Sequence, residues 1–246
     1  MRNKKIIFLI NSINLGGAEK QISLLMNELA NDRNNSVYLI TLDSSKNDFY
    51  KLDQKKIKRY SCNQKKKDNF FEKLFNIIGL ILKIRSLIMS IRPNTIVGFL
   101  PLPSIIMTIS TLGIRCKKII SIRNNPNYIN ISFLWKILYK FSFNFYDTIV
   151  VQTSELKFFY KKKYLNKQII NIPNIYNNNL LLRKKKIINP PKKKFILAVG
   201  KINSQKGFDL LLEAYNKIQK KIPRIKLFIL SNSNNIDQKY YNYLKN

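Results

Sequence analysis

Histidine is absent from all 246 residues, and only two cysteines occur, Cys62 and Cys116. A zinc site built on imidazole is thereby excluded, as is any Ser-His or Cys-His catalytic pair. Two isolated cysteines without metal-ligand spacing fit a reducing compartment and no disulfide framework. Acidic residues are scarce too, 13 against 45 lysines and arginines, a formal charge of +32. Such a balance attracts nucleic acid, acidic headgroups or phosphorylated substrates without choosing among them. Part of it is compositional, since Lys, Asn and Ile crowd the whole chain as an A/T-rich coding sequence favours.

Neither G-x-G-x-x-G nor G-K-[ST] occurs, so the dinucleotide fingerprint and the P-loop are both missing. Long apolar runs are few. "MRNKKIIFLI" begins as a signal peptide does, but its run is short and lacks a small-residue cleavage site. "TIVGFLPLPSIIMTISTLGI" (95–114) is nearly long enough to span a bilayer. Pro101, Pro103 and Gly113 divide it into a strand, a turn and a buried helix. No transmembrane segment is expected.

What is present is an alternation of strands and helices. "KKIIFLIN" (4–11) reads as a parallel strand covered on both faces. From Ala18, the residues Ile22, Leu25, Met26 and Leu29 recur at helical spacing, and "SVYLITLD" (36–43) is the next strand. The lysine-rich stretch 44–69 reads as loop. A long helix over 70–94, ended by Pro93, is followed by strands at "TIVGFL", "KKIISIRN", "DTIVVQT" and "QIINIPNIYNN", with helices between them. Thr153 or Ser154 caps the helix that starts "SELKFFY". "RKKKIINPPKKK" (183–194) has the profile of a linker, and then the pattern restarts. Strand 195–200, loop 201–207, helix 208–221 and strand 225–231 form a second β-α-β unit. The expected class is α/β: a Rossmann-like parallel sheet over 1–185, a linker over 186–194 and a partial second Rossmann-like unit over 195–246.

Ligands of open α/β sheets bind at the carboxyl ends of the strands. In "NSINLGGAE", Gly16 and Gly17 allow a tight turn and close approach of an anion to a helix start. Geometry alone would also account for them, with Glu19 favouring the first turn. "SIRNNP" puts Arg123 and Asn124 at a strand end, where a guanidinium can hold a diphosphate or carboxylate by two hydrogen bonds. "GKINSQKG" places Lys201 and Lys206 around a strand-to-helix loop, a phosphate cradle.

Taken in order, "NLGGAEKQ", "IVGFL", "IISIRNNP", "DTIVVQTSELKFFY", "IINIPNIYN" and "FILAVGKINSQKGFDLLLEAYNKI" resemble the family 4 glycosyltransferases of the GT-B fold. The resemblance covers nearly the whole chain and is strongest over 195–218. It implies a retaining transferase moving a sugar from a nucleotide-sugar, with Lys201 and Lys206 on the donor diphosphate and Gly16 and Gly17 bordering the phosphates or the acceptor. Lys201 stands where Arg is usual. "SIRNNP" is similar to a signature of members building lipid-linked oligosaccharide, capsule or O-antigen. It implies an acceptor-side or cleft role for Arg123 and Asn124, although Ile122 replaces a common Glu. The glycine-rich turn and paired glutamates that hold sugar and ribose in the family do not occur, and no catalytic residue is assigned.

The expectations are therefore a glycosyltransferase of bacterial surface-glycan synthesis, present as an incomplete chain inactive by itself. It would use a glycan or polyprenyl-linked acceptor and no metal or other cofactor. It would be cytoplasmic, at the inner face of the membrane, with peripheral contact to anionic lipid. The alternatives are an inactive remnant or split-gene half, and, more remotely, a basic nucleic-acid-binding protein.

Overall fold

The computed structural model describes residues 3–63, 69–123, 131–176, 194–231 and 236–245. It divides into two compact units, 1–176 and 177–246. Asn124 and all but the last residue of the expected linker 186–194 lie outside the described residues.

The first unit is one parallel sheet in the order β3-β2-β1-β4-β5-β6-β7. Its strands are β1 (Lys4–Ile10), β2 (Asn35–Thr41), β3 (Ile57–Ser61), β4 (Thr95–Phe99), β5 (Lys117–Ser121), β6 (Thr148–Val151) and β7 (Gln168–Asn171). Its helices are α1 (Gly17–Leu29), α2 (Phe70–Ile91), α3 (Pro101–Ser110), α4 (Phe133–Ser142) and α5 (Ser154–Lys163). Strand order reverses between β1 and β4. Right-handed crossovers then place α1 on one face and α2 to α5 on the other. The side chains divide accordingly. Phe8, Val37, Leu39, Val97 and Phe99 cluster with Ile22 and Met26 of α1. Ile7, Leu9, Ile40, Ile96, Ile120 and Ile149 cluster with residues of α2 to α5.

Two local readings need correction. The stretch expected as loop contains the edge strand β3, whose Lys58 and Arg59 disguise it; charge on an edge is how sheets avoid further pairing. The turn expected at "PLP" is the first turn of α3, with Pro101 at its start, where a missing amide costs nothing. Gly98 lets α3 lie close on β4, because a Cβ there would sit 2.9 Å from Ser104 Oγ and 3.2 Å from Ser104 Cα.

Thr153 caps α5, its hydroxyl accepting from the Leu156 amide at 3.3 Å. α2 ends where Arg92 turns left-handed (φ 53°) before Pro93. By length and composition α2 could cross a bilayer, but Leu80, Ile84, Ile88 and Ile91 are buried in the sheet-facing core.

Tyr146 is fully buried beneath the α3 and α4 helices. Its hydroxyl donates to Ser104 O or Ser142 Oγ at 3.0 and 2.8 Å and accepts from Thr108 Oγ1 at 3.1 Å. Burial pushes its pKa up from 10.0 to about 12. A raised folded-state pKa means that the native form keeps its proton while the unfolded phenol ionises. The contribution is therefore intact below pH 10 and is lost as pH climbs from 10 to about 12. It amounts to roughly 2–3 kcal/mol at one pKa unit per 1.36 kcal/mol. Tyr146→Phe should lower stability by about 1–2 kcal/mol at neutral pH and flatten this alkaline slope. Denaturant melts at pH 8, 10 and 11.5 check both.

The second unit contains β8 (Phe195–Val199), α6 (Phe208–Gln219), β9 (Lys226–Leu230) and α7 (Gln238–Lys245). β8 and β9 pair in parallel. Among the described residues of this unit only Phe208 and Tyr240 are buried.

Candidate functional site

The α1 face of the first sheet is only half covered. α1 lies over β1 and β2, and among the described residues no helix covers β4 to β6 on that side. A cavity of about 240 Å³ results. Phe8, Val97, Phe99 and Ile119 form its floor, Leu25 its α1 wall, and Ile172 and Ile175 its opposite edge. Its lining is apolar apart from Thr95 at the start of β4 and Gln21, Ser121 and Arg123 toward the carboxyl ends of the strands.

Arg123 follows β5 and turns back into this cavity. Its Nε donates to Ser121 Oγ at 2.9 Å and its Nη1 to Asn174 Oδ1 at 2.8 Å. The guanidinium carbon lies 5.1 Å from the centre of the Phe99 ring. Burial lowers the Arg123 pKa, yet a guanidinium stays charged. Among the described residues no carboxylate pairs with it. Asn174 also accepts from Gln152 Nε2 at 2.8 Å. The neighbouring Ile175 amide donates to Gln21 Oε1 at 2.6 Å, and Gln21 Nε2 donates back to Ile175 O at 3.1 Å. Arg123 and Gln21 thus fasten segment 172–176 across the strand ends. Gln21, Ser121, Gln152 and Asn174 were not singled out in the sequence. The one available signal was Gln21, a polar residue beside Ile22 on the buried side of α1.

Just after Phe99, Leu100 holds φ 71° and ψ 160°, a region almost confined to glycine. This strained residue sits beside the β1/β4 switch point, where open α/β sheets bind ligands.

After the end of β1, Gly16 caps α1 and Gly17 is the first residue of that helix. Gly16 is extended (φ −175°), so its backbone tolerates any residue. The space does not: a Cβ on Gly16 would overlap the Glu19 carboxylate. Glu19 therefore already sets a negative charge against the positive end of α1. Burial raises the Tyr50 pKa, with the Gly16 backbone acting against that rise. An external anion here has to displace Glu19. Gly17 is different, for a Cβ would meet nothing within 4 Å and its φ is not left-handed. The fold does not require glycine at 17. Gly17→Ala should stabilise the chain by roughly 0.4–1 kcal/mol, raising the melting point by about 1–3 °C. A lowered melting point in calorimetry would reveal a steric need that the structure does not show. In the same loop the buried Asn14 Oδ1 has no partner among the described residues. An acceptor of that kind suits a hydroxyl or water donor.

In the second unit Lys201 and Lys206 share the loop from β8 to α6. A Cβ on Gly200 would lie 3.6 Å from Lys206 Cγ, so the Lys206 stem arches over the strand end where Lys201 begins. Gly207 is left-handed (φ 64°) and starts α6. Part of that helix start is already occupied. The Tyr240 hydroxyl accepts from the Asp209 amide at 3.0 Å and donates to Asp209 Oδ1 at 2.7 Å. Among the described residues neither lysine makes an ion pair, and no cluster of three His, Cys, Asp or Glu could hold a metal. Lys201 and Lys206 thus share one loop of the second unit. Gly16 and Gly17 lie at α1 and Arg123 in the cavity, at separate points of the first unit.

The loop with the two lysines belongs to a segment, 182–246, that matches the family model "Glycosyl transferases group 1". Nearly the whole chain, 95% of it, is 22% identical over 234 residues to a Campylobacter jejuni enzyme. That relative is named GalNAc-alpha-(1->4)-GalNAc-alpha-(1->3)-diNAcBac-PP-undecaprenol alpha-1,4-N-acetyl-D-galactosaminyltransferase. The chain is thus similar to glycosyltransferases, the family model itself covering residues 182–246. The chain spans 63% of the relative's length. Its fold is similar to that of sucrose-phosphate synthase from Thermosynechococcus elongatus, with a TM-score of 0.73 at 13% identity over 98% of this chain and 66% of that one. Anabaena HepE, solved with UDP and glucose, gives a TM-score of 0.64 at 12% identity over 98% and 65%. At those identities the solved structures speak for the GT-B fold alone.

Proposed function

We propose that this chain takes part in moving a sugar from a nucleotide-sugar to a lipid-linked glycan, as a retaining transferase of bacterial surface-glycan synthesis. The observation that carries the reading is the loop from β8 to α6, with Lys201 and Lys206 at one strand end inside the segment that matches the family model. As the sugar leaves, negative charge develops on the nucleoside diphosphate. Two ammonium groups and the remaining amides at the start of α6 stabilise that charge in place of a metal. The Gly16–Gly17 turn offers its backbone to an anion at the start of α1 once Glu19 swings away. The apolar cavity, with Arg123 at its polar end, supports an acceptor-side role for that region. The ribose and sugar contacts are assigned to no described residue.

A polyprenyl-linked acceptor supports a position at the inner face of the cell membrane, with peripheral contact to anionic lipid. The experiment is transfer of labelled sugar from a panel of nucleotide-sugars to polyprenyl-diphosphate-linked saccharides, with the product's anomeric configuration read by NMR. Transfer with retained configuration is expected. Inverted configuration would remove the retaining assignment, and hydrolysis or epimerisation of the donor without transfer would remove the function.

A further inference from the structure

We infer that the outer face of α4, together with that of α2, is an insertion surface for an anionic lipid bilayer. The inference rests on the membrane-side reading above and names the surface that serves it. α4 has two apolar faces. Tyr139 and Ser142 are buried toward the core, with Trp135 and Leu138 packed beside them. On the opposite side Phe133, Leu134, Ile137 and Phe141 stand exposed, Phe133 at 79% and Leu134 at 64%. At 100° per residue these four fall within an arc of about 100°. Lys136 and Lys140 border that arc at the next turn positions, and both are exposed.

α2 repeats the arrangement. Its buried edge faces the sheet, while Phe75 at 72% and Leu82 at 61% are exposed away from it. Both helices pack against α3 on the same face of the sheet. Their exposed arcs, lying opposite their buried ones, therefore both point away from the sheet. A core helix needs one apolar face; a second, exposed one is explained only by something that covers it.

Charge selects the occupant. From residue 124 to residue 146 there is no acidic side chain, and α5 adds Lys157, Lys161, Lys162 and Lys163. Aromatic and aliphatic side chains bordered by lysine suit the boundary between headgroups and acyl chains. A second copy of the chain fits poorly, because a two-fold contact through α4 would bring Lys136 and Lys140 of both copies together.

Sedimentation of the chain with vesicles of phosphatidylcholine, alone or with about one third phosphatidylglycerol, tests the inference. The chain should bind the anionic vesicles at least about tenfold more tightly, an advantage that fades at high salt. Phe133→Ser with Leu134→Ser should weaken binding about tenfold or more without moving the melting temperature, since both side chains lie outside the core. Lys136→Gln with Lys140→Gln should lower affinity for the anionic vesicles about tenfold while leaving neutral vesicles unaffected, at roughly 1 kcal/mol per basic residue. Undiminished binding by the serine variant overturns the α4 assignment and leaves the membrane-side reading standing. Absence of binding by the unmodified chain to either vesicle overturns both. A concentration-dependent dimer that the serine variant abolishes, with no vesicle binding, would assign the face to a second copy instead.

Discussion

Backbone amides of β8 and β9 are expected to exchange with solvent at least about a thousand-fold faster than those of β1 and β4. The reason is what covers each sheet. In β1 the residues Ile7, Phe8, Leu9 and Ile10 are all buried, between β2 and β4 and between helices on both faces. β8 and β9 form a sheet of two strands. One of its faces shows Phe195, Leu197, Val199, Phe228 and Leu230 to solvent. A two-stranded sheet with one face bare has little stability of its own. A difference of about 4 kcal/mol in opening free energy, small beside the usual 5–15 kcal/mol of a domain, gives the thousand-fold ratio. Exchange followed by mass spectrometry measures it. Comparable protection in the two sheets would mean that the second unit is held by contacts beyond its own packing.

The second large effect is expected at Arg123. Arg123→Met removes the bonds to Ser121 and Asn174 and the cation over Phe99. The loss should be roughly 2–3 kcal/mol, a fall in melting temperature of about 5–10 °C for a unit of this size. Arg123→Lys keeps the charge but cannot span both partners, because an ammonium lacks the planar fork. It should lose about 1 kcal/mol of stability. Under the proposed function it should also lose on the order of a hundred-fold in transfer, since segment 172–176 would no longer be fixed over the strand ends. Differential scanning calorimetry separates the two substitutions. An Arg123→Met chain that melts with the unmodified one would show that the guanidinium does not tie that segment down.

The parts of this protein that are legible in its sequence are those written in local pattern. The apolar run at Ile6–Ile10 names a doubly covered strand, and the helical spacing from Ile22 to Leu29 names α1. Lys201 and Lys206 are legible as neighbours because a single loop holds them. β3 is hidden by its charges, and α7 by its polar face, with only Tyr240 turned inward. The cavity was beyond reach because its polar end is built from distant residues. Gln21 meets Ile175 across 154 positions and Arg123 meets Asn174 across 51. The Gly16–Gly17 pair is the instructive case. Sequence offers geometry and phosphate as reasons for both glycines. The structure gives Gly16 a steric reason in Glu19 and leaves Gly17 without one.

The central claim is that the loop from β8 to α6 holds the diphosphate of a nucleotide-sugar. Amide-resolved NMR during titration with UDP and with a panel of nucleotide-sugars tests it most directly. The predicted result is a saturable shift of the amides from Gly200 to Phe208 by every ligand that carries the diphosphate. The shift should weaken as salt is raised and be lost when Lys201 and Lys206 are both changed to glutamine. Binding that leaves those amides unmoved, or shifts that persist in the Lys201→Gln, Lys206→Gln chain, would contradict the claim.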